Sequence, residues 1–186
     1  KAHLEKNYKE GKADLATAFF FRCLEFCVKD GSTALVTPQN WLFLPAYTAV
    51  RTRLLTNKQL DLIVRLGANA FRDMNFWAAT TALSVFTASH PAPAHSVFGV
   101  DASAFKEHSY KEEVLSSGDD GAIMVFEQRS QLLNPDARIS METPATHERL
   151  GLLALTPQGT KTGDDSRLRR NWWEFKRLDD RWRFLH

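Results

Sequence analysis

The sequence predicts an α/β fold, and three stretches predict it. Residues 13–29 carry apolar side chains at helical spacing, and residues 33–37 form a short Val- and Thr-containing apolar run closed by Pro38. Residues 60–66 then place Leu, Leu, Val and Leu at every second position, the period of two that belongs to a strand. Helix, buried strand, helix and half-exposed strand in succession make a layered α/β domain.

In the first helix Ala16, Phe20, Cys23, Leu24 and Cys27 form the stripe, widened by Phe19 and Phe26, with Asp14, Arg22, Glu25 and Lys29 opposite. Asp30-Gly31 is the expected stop, because glycine accepts the left-handed conformation of a C-terminal cap. The run 33–37 reads as a strand covered on both faces. Pro38-Gln39-Asn40-Trp41 interrupts it, and Pro45 suits the first turn of a second helix. There Tyr47, Val50 and Leu54 are predicted inward, Arg51 and Arg53 outward. In the next strand Leu60, Leu62, Val64 and Leu66 alternate with Asp61, Ile63 and Arg65, and Gly67 ends it. Only about ten residues separate it from the run 78–86, so an antiparallel, hairpin-like pair is predicted rather than a helical crossover.

The remaining segments are read more coarsely. Residues 1–12 read as a polar surface loop and 90–94, His-Pro-Ala-Pro-Ala, as a boundary. Residues 103–113 read as a short exposed helix, 116–121 as a polar loop, 122–126 as a strand and 134–137 as a turn.

Composition bounds the function classes. A chain of 186 residues can bury roughly 70% of its extended surface, and a net charge of +2 names no partner. Cys23 and Cys27 lie one turn apart and read as reduced core residues, since two positions on one helix rarely reach disulfide geometry and a metal would need further ligands. No apolar run has the length of a membrane span and no signal-peptide pattern opens the sequence, so a cytoplasmic setting without a membrane partner is expected. No Gly-x-Ser-x-Gly elbow, zinc spacing or dinucleotide fingerprint is present. The stretch 159–165 is not a phosphate loop either: Lys161 precedes Gly163, and Asp164 and Asp165 would repel phosphate.

The order helix, Lys-Asp-Gly, apolar strand, Thr-Pro-Gln-Asn-Trp-Leu-Phe (residues 37–43) resembles the second half of the catalytic domain of an N6-adenine DNA methyltransferase. The likeness continues through Leu-Gly-Ala-Asn-Ala-Phe, residues 66–71, to the strand ending at Phe86. Residues 159–175, Gly-Thr-Lys-Thr-Gly-Asp-Asp-Ser-Arg-Leu-Arg-Arg-Asn-Trp-Trp-Glu-Phe, resemble the entry to the DNA-recognition region in BREX phage-defence methyltransferases and their single-chain restriction-modification relatives. The resemblance covers residues 12–86 and 159–175. It implies the C-terminal half of a Rossmann-like sheet with an antiparallel terminal strand, followed by an irregular α+β segment. The expected organisation is 1–90 catalytic-domain half, 91–158 linker or insertion, and 159–186 start of the DNA-recognition region.

The resemblance also implies transfer of a methyl group from S-adenosylmethionine to adenine in double-stranded DNA, with other phage-defence proteins as further partners. The family's glycine-containing cofactor turn and its Asn-Pro-Pro-Tyr tetrapeptide are not in this sequence, which opens on Lys1. A piece of a longer protein is therefore expected, with no cofactor of its own and no assignable catalytic residue. The alternative is a non-catalytic nucleic-acid-binding or assembly module built on the same half-fold.

Phe71 occupies the place where the family holds the extruded target base on an aromatic face. The other reading is a loop phenylalanine packed under the hairpin, with Phe76 and Trp77 as nearby candidates for the stacking role. Gln39 and Asn40 follow a strand end, where open α/β sheets gather ligands, or simply cap a turn. Trp41 reads as a core anchor. Arg167, Arg169 and Arg170 interleave with Trp172, Trp173 and Phe175, a pattern that suits a nucleic-acid backbone and its bases. A packed tryptophan pair with a solvated charged edge fits the same residues.

Overall fold

The computed structural model describes residues 2–71, 80–117 and 122–141 and, singly, Ala154, Asn171 and Glu174. The chain divides into two compact units, Lys1–Pro144 and Ala145–His186. Among its described residues the first carries a five-stranded sheet, in the spatial order β1 (Ser32–Pro38), β3 (Thr81–Thr87), β2 (Gln59–Gly67), β4 (Ser96–Asp101) and β5 (Ile123–Glu127).

The chain enters on α1 (Ala2–Asn7) rather than on a loop. Leu4 packs against the main core and Tyr8 is buried in it, with the Tyr8 hydroxyl donating to Glu25 Oε2 at 3.0 Å. These two apolar residues are enough to fold an otherwise polar stretch down. Next, α2 (Leu15–Phe26) is capped by Asp14, whose Oδ1 accepts from the Ala16 amide at 2.9 Å. Its buried face is Thr17, Ala18, Phe20, Phe21 and Leu24. Of the residues expected on that face, Phe19 and Phe26 are exposed and Ala16 is half-buried. The stripe is rotated because Thr17 can face inward, its hydroxyl donating to the carbonyls of Gly11 at 2.9 Å and Asp14 at 2.7 Å. Phe26 instead lies under the Arg22 guanidinium, 4.3 Å from the ring centroid. The helix stops at Phe26, and the left-handed residue beyond it is Asp30 (φ 62°) rather than Gly31. Aspartate tolerates that conformation better than most side chains.

Among the described residues, strand β1 (Ser32–Pro38) pairs only with β3 (Thr81–Thr87), antiparallel, and sits at the sheet's edge. It is covered on one face, not both: Leu35 packs against the core whereas Val36 is 56% exposed. Strand β2 (Gln59–Gly67) runs antiparallel to β3, as the short connection predicts. A register shift between Leu60 and Leu62 breaks its strict alternation. Leu60 and Ile63 thereby join the main core while Leu62, Val64 and Leu66 meet a second, smaller one. The sheet continues past the proline-rich stretch. Strand β4 (Ser96–Asp101) pairs parallel to β2, and β5 (Ile123–Glu127) antiparallel to β4. Residues expected in a linker or insertion thus supply two of the five strands.

One face of the sheet carries α2 and α3 (Thr48–Asn57) over a core centred on Phe20, Trp41 and Phe86. The ring centroids of Phe20 and Trp41 are 4.7 Å apart, and each of these side chains is worth about 1.5–3 kcal/mol when buried. Trp41 is the core anchor the sequence suggests. On α3 Val50 and Leu54 are buried as expected, but Arg51 is buried with them at 0% exposure. Its guanidinium donates to the carbonyls of Trp41 (2.6 Å), Leu44 (2.8 Å), Asp136 (2.7 Å) and Ala137 (3.1 Å). Asp136 and Ala137 both have positive φ. The turn expected at 134–137 is therefore held from beneath by an arginine expected in solvent. Burial lowers the Arg51 pKa, while the nearby Asp136 carboxylate opposes that shift. Arg53 is outward as predicted, bonded to Glu10 at 2.7 Å.

On the opposite face two apolar rows run straight across the sheet. Ala34, Val85, Leu62, Phe98 and Val125 are register partners in one row, and Val36, Leu83, Val64, Val100 and Ile123 in the next. Phe98 is 51% exposed and Val125 60%.

Candidate functional site

The strand directions gather three C-terminal ends at one edge of the sheet. Pro38 of β1 and Gly67 of β2 both pair with Thr81, the first residue of β3. Asp101 of β4 lies alongside Arg65. With neighbouring strands about 4.8 Å apart, the ends of β1 and β2 are about 10 Å from each other. This is the end at which open α/β sheets bind ligands.

Gln39 and Asn40 leave this end from β1. Gln39 is buried, its backbone N–H donating to the Thr80 carbonyl at 2.9 Å, and its side-chain Oε1 has no hydrogen-bond partner among the described residues. Asn40 is exposed. The Thr37 hydroxyl, also buried, is likewise without a partner.

Phe71 leaves the same end from β2 and is 48% exposed. The residues leading to it are fixed: Gly67 and Asn69 take positive φ (67° and 55°), and Ala70 packs against the small core of Val64, Leu66 and Ala102. A Cβ at Gly67 would stand 2.9 Å from the Ser103 Cβ, so the stem and the segment after β4 are in close contact. The Ala102 amide donates to the Arg65 carbonyl at 2.8 Å, and Arg65 bonds Asp101 at 2.8 Å. The Asn69 amide reaches the Lys106 carbonyl at 3.3 Å.

Lys111 completes the stem. It lies on α4 (His108–Ser116), where an exposed helix is expected, yet it is only 2% exposed. Its ammonium donates to the carbonyls of Leu66 and Ala68, the latter at 2.7 Å. Burial lowers its pKa, partly opposed by the Asp101 carboxylate. Nothing in the local sequence marks Lys111, since Lys-Glu-Glu reads as solvated. The other stacking candidates, Phe76 and Trp77, and the basic candidates Arg167, Arg169, Arg170 and Trp172 lie outside the described residues. Among the described residues no group of three or more His, Cys, Asp or Glu could hold a metal ion, and no helix is long and apolar enough to cross a membrane.

Residues 1–71 match the Eco57I restriction-modification methylase family, a match that ends on Phe71 itself. This is the likeness to an N6-adenine methyltransferase that the sequence motifs carry. Ninety residues are 31% identical to the adenine-specific methyltransferase BrxX of Escherichia coli O9:H4 (strain HS), covering 48% of this chain and 8% of that protein. The match thus spans less than a tenth of the length of this relative. In fold the chain is similar to the type I restriction-modification methyltransferase subunit of Streptococcus thermophilus, with a TM-score of 0.54 at 17% identity over 74% of this chain and 33% of that one.

Proposed function

We propose that this segment forms the target-base side of the active site in a site-specific DNA adenine-N6 methyltransferase. The intact protein would act in restriction-modification or phage defence, in the company of other defence proteins. The observation that carries this reading is Phe71: a half-exposed ring on a firmly held stem, at the ligand-gathering end of the sheet, on the last residue of the methylase match. An enzyme that methylates a base nitrogen must take the base out of the duplex stack, and an aromatic face compensates part of that cost. Phe71 would supply the face. S-adenosylmethionine would bring the electrophilic methyl group, and none of the residues in this chain is assigned to holding it. The catalytic groups are equally assigned elsewhere, because the family tetrapeptide is absent from the sequence. Arg167, Arg169, Arg170 and Trp172 would meet double-stranded DNA, the arginines on phosphates.

The test is a substitution at Phe71 in the intact protein. Stacking on an aromatic ring is worth about 1–3 kcal/mol per base, so Phe71→Ala should slow single-turnover methylation roughly tenfold or more. Phe71→Tyr and Phe71→Trp should keep most activity, and cofactor affinity should stay the same. Normal activity per folded molecule in Phe71→Ala would refute the stacking role. An intact protein that binds DNA but carries no methyl transfer would favour the non-catalytic module instead.

A further inference from the structure

Most of the contacts that hold the Phe71 stem come from one place, the segment from Asp101 to Lys111. Asp101 fixes Arg65, Ala102 caps the Arg65 carbonyl, Ser103 abuts Gly67, and the Lys106 carbonyl receives Asn69. Lys111 is the costliest of these contacts. A buried ammonium without a contacting carboxylate gives up hydration that two backbone carbonyls only partly replace. A neutral side chain of the same length would fill the space at lower electrostatic cost, but it could not bond both carbonyls.

Leu66 is the penultimate residue of β2, where a register shift against β3 has already disturbed the ladder, and Ala68 lies beyond the strand. Left alone, the chain after Gly67 would be free to swing on two left-handed residues, Gly67 and Asn69. Lys111 ties the backbone on either side of the first of these. The second is tied by its own side chain to Lys106. The direction in which the chain leaves the sheet, and so the placement of the Phe71 ring three residues beyond Ala68, is set from α4.

We propose that Lys111 is a positioning residue for Phe71: by clamping the Leu66 and Ala68 carbonyls it holds the aromatic ring where an extruded base can stack on it. This rests on the stacking reading of Phe71 given above. It assigns to α4, a helix outside the methylase match, a direct part in presenting the base-contacting side chain. Misplacing a binding group by about 1 Å can cost a large factor in rate, so loss of the clamp should be felt in methyl transfer even though Lys111 touches no substrate.

A double-mutant cycle in the intact protein tests this. Lys111→Met keeps the unbranched stem of the side chain and removes the ammonium. Expected results are a roughly tenfold slower single-turnover methylation, duplex DNA affinity within twofold of the parent, and faster amide exchange at residues 68–71 with β2 and β3 still protected. In a Phe71→Ala background the same change should slow methylation less than twofold, because a residue that acts through Phe71 has nothing left to position. An equal slowing in both backgrounds would overturn the proposal and leave Lys111 a general stability residue. If Phe71→Ala alone leaves the rate unchanged, the stacking reading itself fails and the positioning role goes with it. Should Lys111→Met not fold, Lys111→Arg, which keeps the charge but displaces the donors, goes through the same cycle with the same two outcomes.

Discussion

Replacing Arg51 with methionine should destabilise the first unit by about 3 kcal/mol or more, and the structure supplies the reasoning. The guanidinium is fully buried and serves four backbone carbonyls in two loops that are far apart in sequence, 41–44 and 136–137. The bonds to Trp41 and Ala137 are buried, those to Leu44 and Asp136 only partly so. A buried carbonyl left unpaired costs about 1–3 kcal/mol, so the two buried ones account for about 2–6 kcal/mol, while the other two can be rescued by water. Against this stands the desolvation of the arginine itself, which methionine relieves and which amounts to several kcal/mol in comparable sites. The left-handed Asp136 and Ala137 tip the balance. Without the arginine only the turn's own hydrogen bonds remain against their strain, of order 1–3 kcal/mol each for non-glycine residues. Urea unfolding followed by far-UV circular dichroism, with slope and midpoint fitted separately, measures the change. Arg51→Lys should recover less than half of it, since a point-like ammonium cannot fork between two loops. A methionine variant within 1 kcal/mol of the parent would show the carbonyls to be satisfied without Arg51 and refute the clamp.

Two further outcomes are expected. Gly67→Ala should cost about 1–3 kcal/mol in the same unfolding assay, because the residue has φ of 67° and its Cβ would press on Ser103; an unchanged midpoint would contradict the close stem contact. Arg169→Ala with Arg170→Ala in the intact protein should weaken DNA binding across sequences and reduce its salt dependence by about two charges' worth of released counterions, whereas an unaltered salt slope would place both arginines away from phosphate.

The elements were legible in the sequence where one physical signal dominated. The antiparallel pairing of β2 with β3 followed from connection length, and Trp41, flanked by a proline turn and apolar neighbours, could only sit comfortably in a core. What misled was the assumption that charge faces water. Arg51 and Lys111 are buried because each finds backbone carbonyls that need donors, and which carbonyls go unpaired is decided by loops brought in from distant sequence. The rotation of α2 has the same origin, a threonine satisfied by the Gly11 carbonyl. The bulge in β2 altered which leucines share a face, and nothing local announces a bulge. Strand β4 was missed because it is entered through prolines and contains Gly99, whose Cβ would crowd Met141 Sδ at 3.0 Å and Phe126 at 3.1 Å. Of the candidate site, Phe71 was reached through resemblance, whereas the stem that presents it became visible only in three dimensions.

The two apolar rows on the far face of the sheet also bear on how this segment can be handled. A plane of Val36, Phe98, Val125 and Ile123, bordered by the unpaired edge of β1 among the described residues, is adhesive in water. Excised as a cassette, grafted into another protein or expressed as a screening fragment, the segment would carry that plane with it and draw on chaperones or on other copies of itself. Recombination between methyltransferases at such a joint would have to exchange whatever covers the plane together with the sheet, or else repaint it with polar side chains.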